Sequence, residues 1–279
     1  MDARVARRAV GDVASVCQNA CPTSAALWVG ALATSLPRCM RSHSLHPADR
    51  HWARVGARFR TPTRTIVSLP PSYTPGAREM YCRNVYLRTG LTMPASGWVI
   101  DLGANQGLFA VWAALAGANV VAVEAQQGFA TEISDLAAHN RVGQRVQVEI
   151  AMASGVAVSG AAVGVVADDQ LWATTSHGAP TRPADVSLPQ LMSTYRIDRV
   201  GLLKVDIEGG EFALFADSDL SWLEKVDQIA LEVHCDFGDA RHLVDRFLEQ
   251  RFDVDLRDND GERVPVTSRR LQYAYCSRR

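Results

Sequence analysis

Two patterns of apolar and polar residues divide the chain. From Trp98 onward, short strand-like runs rich in Val, Ile and Leu alternate with stretches whose apolar residues recur every three or four positions. The strand-like runs are residues 99–102, 119–123, 146–150, 200–205, 228–233 and 252–256. Residues 108–116, 129–140 and 240–250 have helical spacing, and shorter helices fit around Phe212 and at 188–195. Apolar strands alternating with helices predict an α/β fold with a doubly wound, mostly parallel sheet covered on both faces. Residues 271–276 supply a last strand that can run antiparallel. Ligands of such a sheet bind beyond the carboxyl ends of its strands.

Residues 1–96 lack this rhythm. Residues 13–33 read as one or two apolar helices broken at Pro22, and Pro37, Pro47, Pro62, Pro70, Pro71 and Pro75 punctuate the stretch up to residue 75. Residues 68–76 form a turn-rich loop, and 78–88 read as a helix with Met80, Val85 and Leu87 towards its apolar side. The predicted division is a helical N-terminal extension at 1–95, serving as a lid or dimer surface, and then a cofactor-binding domain at 96–279. The least regular stretch, 156–199, is expected to contribute a loop over the site, and its polar part contains His177.

Composition narrows the function. The formal net charge of −1 argues against a dedicated nucleic-acid binder, which carries a clearly basic face. The longest apolar stretch, 24–36, falls short of the ~18 residues of a membrane span, so no membrane association is expected. Six dispersed cysteines in a chain of this size point to reduced thiols and a cytoplasmic location. Cys17 and Cys21 lack the second half of a zinc site. Of the 29 basic residues only Lys204 and Lys225 are lysines, so a Lys in an unusual place reflects a need for a compact ammonium.

Two segments carry the chemistry. In VIDLGANQGLFA, residues 99–110, a strand ends at Asp101, and Gly103 and Gly107 frame a turn into a helix. Glycine at such a turn admits positive φ and a close ligand, and helix-start amides can receive an anionic carboxylate. Asp101 can accept from a ligand amine. Glu124 ends the next strand, about 20 residues on, where an acidic residue binds ribose hydroxyls. The turn departs from the dinucleotide pattern Gly-x-Gly-x-x-Gly, because Asn105 stands where the middle glycine would be. In VGLLKVDIEGGE, residues 200–211, Lys204 and Asp206 share one face of an apolar strand. Asp206 falls at the strand's carboxyl end, suited to removing a proton from a hydroxyl. Lys204 could fix Asp206 or acidify that hydroxyl. His234, at the tip of the next strand, is a second potential base. Asp206, Glu232 and His234 at adjacent tips could instead hold Mg²⁺.

The Gly turn, Glu124 and above all KVDIEGGE at 204–211 resemble the FkbM family of methyltransferases, whose members carry a nearly identical Lys-x-Asp-x-Glu-Gly-x-Glu segment. The resemblance covers roughly residues 80–235. It implies a class I methyltransferase fold and S-adenosylmethionine as donor. It also implies O-methylation of a small molecule, often a sugar or polyketide natural product. The implied cofactor contacts are Asp101, Gly103, Asn105, Gly107 and Glu124, with Ala104 and Ala125 beside them. Ala125 replaces the Pro common after the ribose-binding Glu, and SLPQLMSTY at 187–195 replaces a frequent Leu-Asp-Asp run. Two other functions compete: a non-catalytic nucleotide-binding Rossmann-like module, and an NAD-dependent oxidoreductase. The first leaves Lys204 and Asp206 unexplained, and the second fits the glycine spacing poorly.

Overall fold

Helices α1 (Ala3–Asn19), α2 (Pro22–Ser42) and α3 (His46–Val55) open the chain, and an antiparallel hairpin of β1 (Ala57–Arg60) and β2 (Ile66–Leu69) comes next. A π-helical turn at Arg78–Cys82 leads towards the sheet. The sheet strands are β3 (Trp98–Leu102), β4 (Asn119–Glu124), β5 (Val146–Ile150), β6 (Val200–Val205), β7 (Gln228–Glu232), β8 (Phe252–Asp258) and β9 (Leu271–Arg278). Between them lie α4 (Leu108–Ala116), α5 (Phe129–His139), α6 (Leu188–Thr194), α7 (Glu211–Leu214) and α8 (Ala240–Glu249). The computed structural model describes residues 3–42, 44–73, 76–154, 163–164, 181–182, 186–216 and 219–279. The polar loop expected at 168–178, His177 included, lies outside them.

The strand order is β8-β9-β7-β6-β3-β4-β5. All pairings are parallel except those of β9, which runs antiparallel to β7 and β8. This is the doubly wound, mostly parallel sheet expected from the sequence. From β3 the chain proceeds to β4 on one side and later returns to β6 on the other. The carboxyl ends of β3 and β6 therefore flank a topological switch point, where such sheets form a crevice.

Side-chain alternation sends successive strand residues into two cores. Ile100, Val121, Leu203 and Leu231 face α6, α7 and α8. Val99, Val120, Leu202 and Ala230 face the other way, into a core built by α4, α5 and the N-terminal segment together. An aromatic column runs through that second core. Trp28 stacks on Trp52 at 5.9 Å, Trp52 meets Phe59 at 4.8 Å, and Tyr81 lies between Phe59 and Trp112 of α4, 5.3 and 6.3 Å away. Described residues of the N-terminal segment, from Val16 to Met93, thus share a core with the sheet.

Buried charge fixes this segment further. The Arg78 guanidinium bonds Asp12 of α1 at 2.7 Å and Asp49 of α3 at 3.1 Å, and Trp28 donates to Asp49 at 2.8 Å. The helix expected over 78–88 is only the π-helical turn, because Asn84 adopts a left-handed φ of 52° that ends it. Pro37 lies inside α2 on its exposed side instead of ending it.

Candidate active site

The turn after β3 is shaped by packing. Gly103 has φ 73°, and a Cβ there would stand 1.7 Å from the Asp206 carbonyl oxygen. Gly107 has φ 81°, and its Cβ would press Ile133 of α5 at 3.0 Å. Close approach of β6 and α5 therefore demands these glycines, independently of any ligand. The turn's amides are also engaged. Gly103 and Ala104 donate to the Val123 carbonyl, Gln106 to the Asn105 side chain, and Gly107 to the Ala104 carbonyl. Asn105 donates to Glu124 Oε2 at 2.8 Å.

Glu124 sits at the tip of β4, its second oxygen accepting from the Gln126 amide at 2.9 Å. Burial pushes its carboxyl up, against the two backbone hydrogen bonds. Each oxygen keeps a further lone pair, so Glu124 can still accept from hydroxyls. Ala125 comes directly after it, half-buried.

Lys204 is the keystone beneath the site. The β6–β3 register sets it beside Asp101, and its ammonium lies 3.2 Å from that carboxylate and 3.6 Å from Asp206. It also donates to the Gly103 carbonyl at 2.7 Å. Burial opposes its charge, but Asp101 and Asp206 outweigh burial and raise its pKa, so Lys204 stays protonated. Asp101 is fully buried under Lys204. It therefore acts on the cleft through that ammonium and not, as its place in the sequence suggests, by touching a ligand amine.

Asp206 lies just past the end of β6, half-buried, on the face it shares with Lys204. It does not cap α7, whose N-cap is Gly210. Its Oδ2 accepts from the Tyr86 hydroxyl at 2.7 Å, and the same hydroxyl lies 3.1 Å from Glu232 Oε2. Glu232 Oε1 accepts from Gln272 of β9 at 2.9 Å. Burial and the neighbouring Asp206 charge push the Glu232 carboxyl up to about 8.

His234 stands on the other side of Asp206. Glu211, fully buried at the start of α7, accepts from the His234 amide at 2.7 Å and pairs with Nδ1 at 3.1 Å. Its other oxygen takes the Gly209 amide, which ties the Gly-Gly turn to the tip of β7. Nε2 lies 3.3 Å from Glu208 and 4.0 Å from Asp206. Burial opposes protonation, but Glu211, then Asp206 and Glu232, push His234 up to about 9. At neutral pH it is an imidazolium, a donor and not a base.

Among the described residues, the group placed to hold a cation is Asp206, Glu208 and His234, with ligand atoms within 4.8 Å of one another. Glu208 takes the position expected for Glu232, whose carboxylate turns instead to Tyr86 and Gln272. His234 carries a proton in this arrangement, which a bound cation would have to displace.

Asp206 and Glu208 border a cleft of about 140 Å³ at the switch point, lined also by Met80, Tyr86, Asn105 and Glu232, and His234 borders an adjoining one. Sequence reasoning brought together Lys204, Asp206 and His234. It missed Tyr86 and Gln272, which belong to no motif, and left Glu211 without a role although KVDIEGGE contains it.

Residues 101–254, more than half of the chain, match the family described as the Methyltransferase FkbM domain. Among curated proteins, the AMB antimetabolite synthetase AmbE of Pseudomonas aeruginosa is 26% identical over 231 residues, covering 65% of this chain. The chain spans about a tenth of that relative, 11% of its length. Solved structures similar to it include a protein of the NADB-Rossmann superfamily from Streptococcus agalactiae, 12% identical, TM-score 0.42, covering 70% of this chain and 66% of that one. Another is precorrin-6y C5,15-methyltransferase from Geobacter metallireducens, 11% identical, TM-score 0.40, covering 70% and 86%. With its cofactor turn, acidic strand tips and KVDIEGGE segment all inside the matched span, the chain belongs to the FkbM family of methyltransferases.

Proposed function

We propose that the chain transfers the methyl group of S-adenosylmethionine to a hydroxyl of a small molecule, with Asp206 as the base. The observation that carries this is the Asp206 carboxylate itself. It opens to the cleft at the switch point, braced by Lys204 from below and Tyr86 from the side.

The residues present suit such a donor. S-adenosylmethionine supplies an electrophilic methyl on a sulfonium. A cleft edged by Asp206 and Glu208 favours that cationic group and its ammonium, and Glu124 retains lone pairs for ribose hydroxyls. Methyl transfer is an in-line displacement, so the chain must align the acceptor oxygen, exclude water and remove its proton. Asp206 takes that proton as the oxygen attacks. The His234 imidazolium, held by Glu211, is placed to donate towards the acceptor and offset the local negative charge. Lys204 keeps Asp206 aimed. Acceptors of the sugar or polyketide type, implied by the resemblance, carry suitable hydroxyls. An adjoining cleft of about 430 Å³ beside Glu232 and His234, bordered by Asp236, Asn259 and Arg269, has room for the body of such a molecule.

Calorimetric titration with S-adenosylhomocysteine, with NAD as the control, tests the cofactor part. Binding of the first and not the second is expected. Glu124→Ala should weaken it by about 1.5–3 kcal/mol, the scale of hydrogen bonds to a charged group. Unchanged affinity in a folded Glu124→Ala protein would contradict the ribose assignment.

A further inference from the structure

Charge and exposed apolar surface are divided unevenly along this chain. Residues 1–95 hold 13 arginines and four acidic residues, whereas residues 96–279 hold 16 basic and 26 acidic ones. The described acidic side chains of the first part, Asp12, Asp49 and Glu79, are all turned to Arg78 and Arg83. Among the described residues, seven of the eight large apolar side chains left exposed also belong to this part, Val55 and Ile66 among them.

The two features coincide at the end of α3 and on the β1–β2 hairpin. From residue 50 to residue 78 there are six arginines and no Asp or Glu. Arg58 pairs across the hairpin with Ser68, and Arg60 with Ile66. Strand alternation turns these four side chains to one face, and Phe59 and Val67 to the core. Arg64, at φ 65°, is exposed in the connecting turn, and Arg54 and Val55 are exposed where α3 leads into β1. Ser68 joins this face to the end of α5. Its hydroxyl lies 3.1 Å from His139 Nε2, its amide donates to Asn140 at 2.8 Å, and the exposed Arg141 follows. The exposed acidic side chain of α5, Asp135, stands one turn before His139. Arg54, Arg58, Arg60, Arg64 and Arg141 form no ion pair among the described residues.

A surface of this kind attracts polyanions, and its apolar members discriminate among them. Nucleic acid is held through its phosphates and through bases stacked on aromatic rings, where exposed aliphatic side chains gain nothing. An anionic headgroup layer uses both kinds of residue: arginines pair with its phosphates, and Val55 and Ile66 enter the acyl boundary. The outward face of a hairpin also has no groove to grip a folded partner, and a headgroup layer needs none. We propose that the β1–β2 hairpin and the end of α3 dock the protein on an anionic phospholipid surface. No described helix is long and apolar enough to cross a bilayer, and the expectation of no membrane association concerned such a span; this contact is peripheral. The acidic remainder of the chain is repelled by the same surface, which turns the molecule hairpin-first. Patch and cleft lie at opposite ends of α5, since Glu132 near its start bonds Gln106 of the cleft and His139 at its end bonds Ser68. Docking therefore leaves the cleft open, and the proposal stands independently of the methyl-transfer reading.

Co-sedimentation of the full chain with vesicles tests the docking. Binding is expected to equimolar phosphatidylglycerol–phosphatidylcholine vesicles and not to phosphatidylcholine alone. Raising the salt from about 0.1 M to about 0.5 M should release the protein as the charges are screened. Each cation beside an anionic bilayer contributes about fivefold in partitioning, so Arg58→Gln, Arg60→Gln and Arg64→Gln together should weaken binding about 100-fold with Tm unchanged. Val55→Ser should weaken it about 3- to 5-fold without altering its salt dependence. Hydrogen exchange on the wild-type protein locates the contact without any variant, and vesicles should slow it at residues 54–68. Absence of binding to the anionic vesicles, equal binding to phosphatidylcholine, or protection confined to other parts of the chain would overturn the proposal. So would undiminished binding by the folded triple variant, and so would a preference for duplex DNA over the vesicles, which marks a nucleic-acid surface instead.

Discussion

Asp206 is held from three sides: by Lys204 two residues back, by Tyr86 from the N-terminal segment, and by the backbone contact between its own carbonyl and Gly103. The last contact makes Gly103 the least replaceable residue of the turn. Gly103→Ala would force a methyl group onto a backbone oxygen at 1.7 Å, with positive φ in addition, so β6 must move away from β3. The expected loss of stability exceeds about 3 kcal/mol, read as a drop in the denaturant midpoint, and near-native stability of that variant would contradict this packing. At this scale the sequence was only partly legible. Strand alternation put Lys204 and Asp206 on one face correctly. It could not reveal that Gly103 serves the approach of β6, nor that Tyr86 reaches across 120 positions to Asp206. Glu211 was visible in its motif, but its role depends on His234, 23 residues away in sequence and adjacent only in the fold.

At the scale of elements, strand-length apolar runs and helical spacing predicted the sheet well, because burial on both faces leaves a strong pattern. The spans of α4, β5 and β6 coincide with those read from the sequence. Short elements left weaker signals. The β1–β2 hairpin offers four-residue strands among prolines and threonines, and its alternation of buried Ala57 and Phe59 with exposed Arg58 and Arg60 is too brief to stand out. Arg78 shows how these first elements are held to the rest. Arg78→Met would leave Asp12 and Asp49 without their main cation, and Asp12, already raised by burial, would protonate or unfold its surroundings. A loss of about 3–5 kcal/mol is expected from breaking this buried network. Hydrogen exchange should also rise first in α1 and α3. Unaltered exchange there would show that the aromatic column alone fixes the segment.

The whole molecule carries its site chemistry into its stability. His234 has a folded pKa of about 9 against an ordinary 6.5, so its contribution is complete below pH 6.5 and lost as pH rises through 9. Glu232, raised from 4.5 to about 8, has the same sign: the folded form holds its proton more tightly, and that advantage fades as pH rises through 8. Glu232 contributes between pH 4.5 and 8 and His234 between pH 6.5 and 9, so both effects act together between pH 6.5 and 8. The His234 shift corresponds to about 3 kcal/mol, so Tm should fall by roughly 5–10 °C between pH 6.5 and 9. His234→Gln should flatten the curve. A Tm that is constant or rising over this range would mean that the imidazole is not held as a cation.

The measurement that bears most directly on the central claim is turnover by Asp206→Asn, taken together with its affinity for S-adenosylhomocysteine. The substitution keeps the side chain's shape and removes its charge and basicity. If Asp206 is the base, cofactor binding persists and kcat falls by about 10²–10⁴-fold, the usual cost of losing a general base. A folded Asp206→Asn protein that binds cofactor and methylates its acceptor at a near-normal rate would contradict the account and remove Asp206 from the reacting centre.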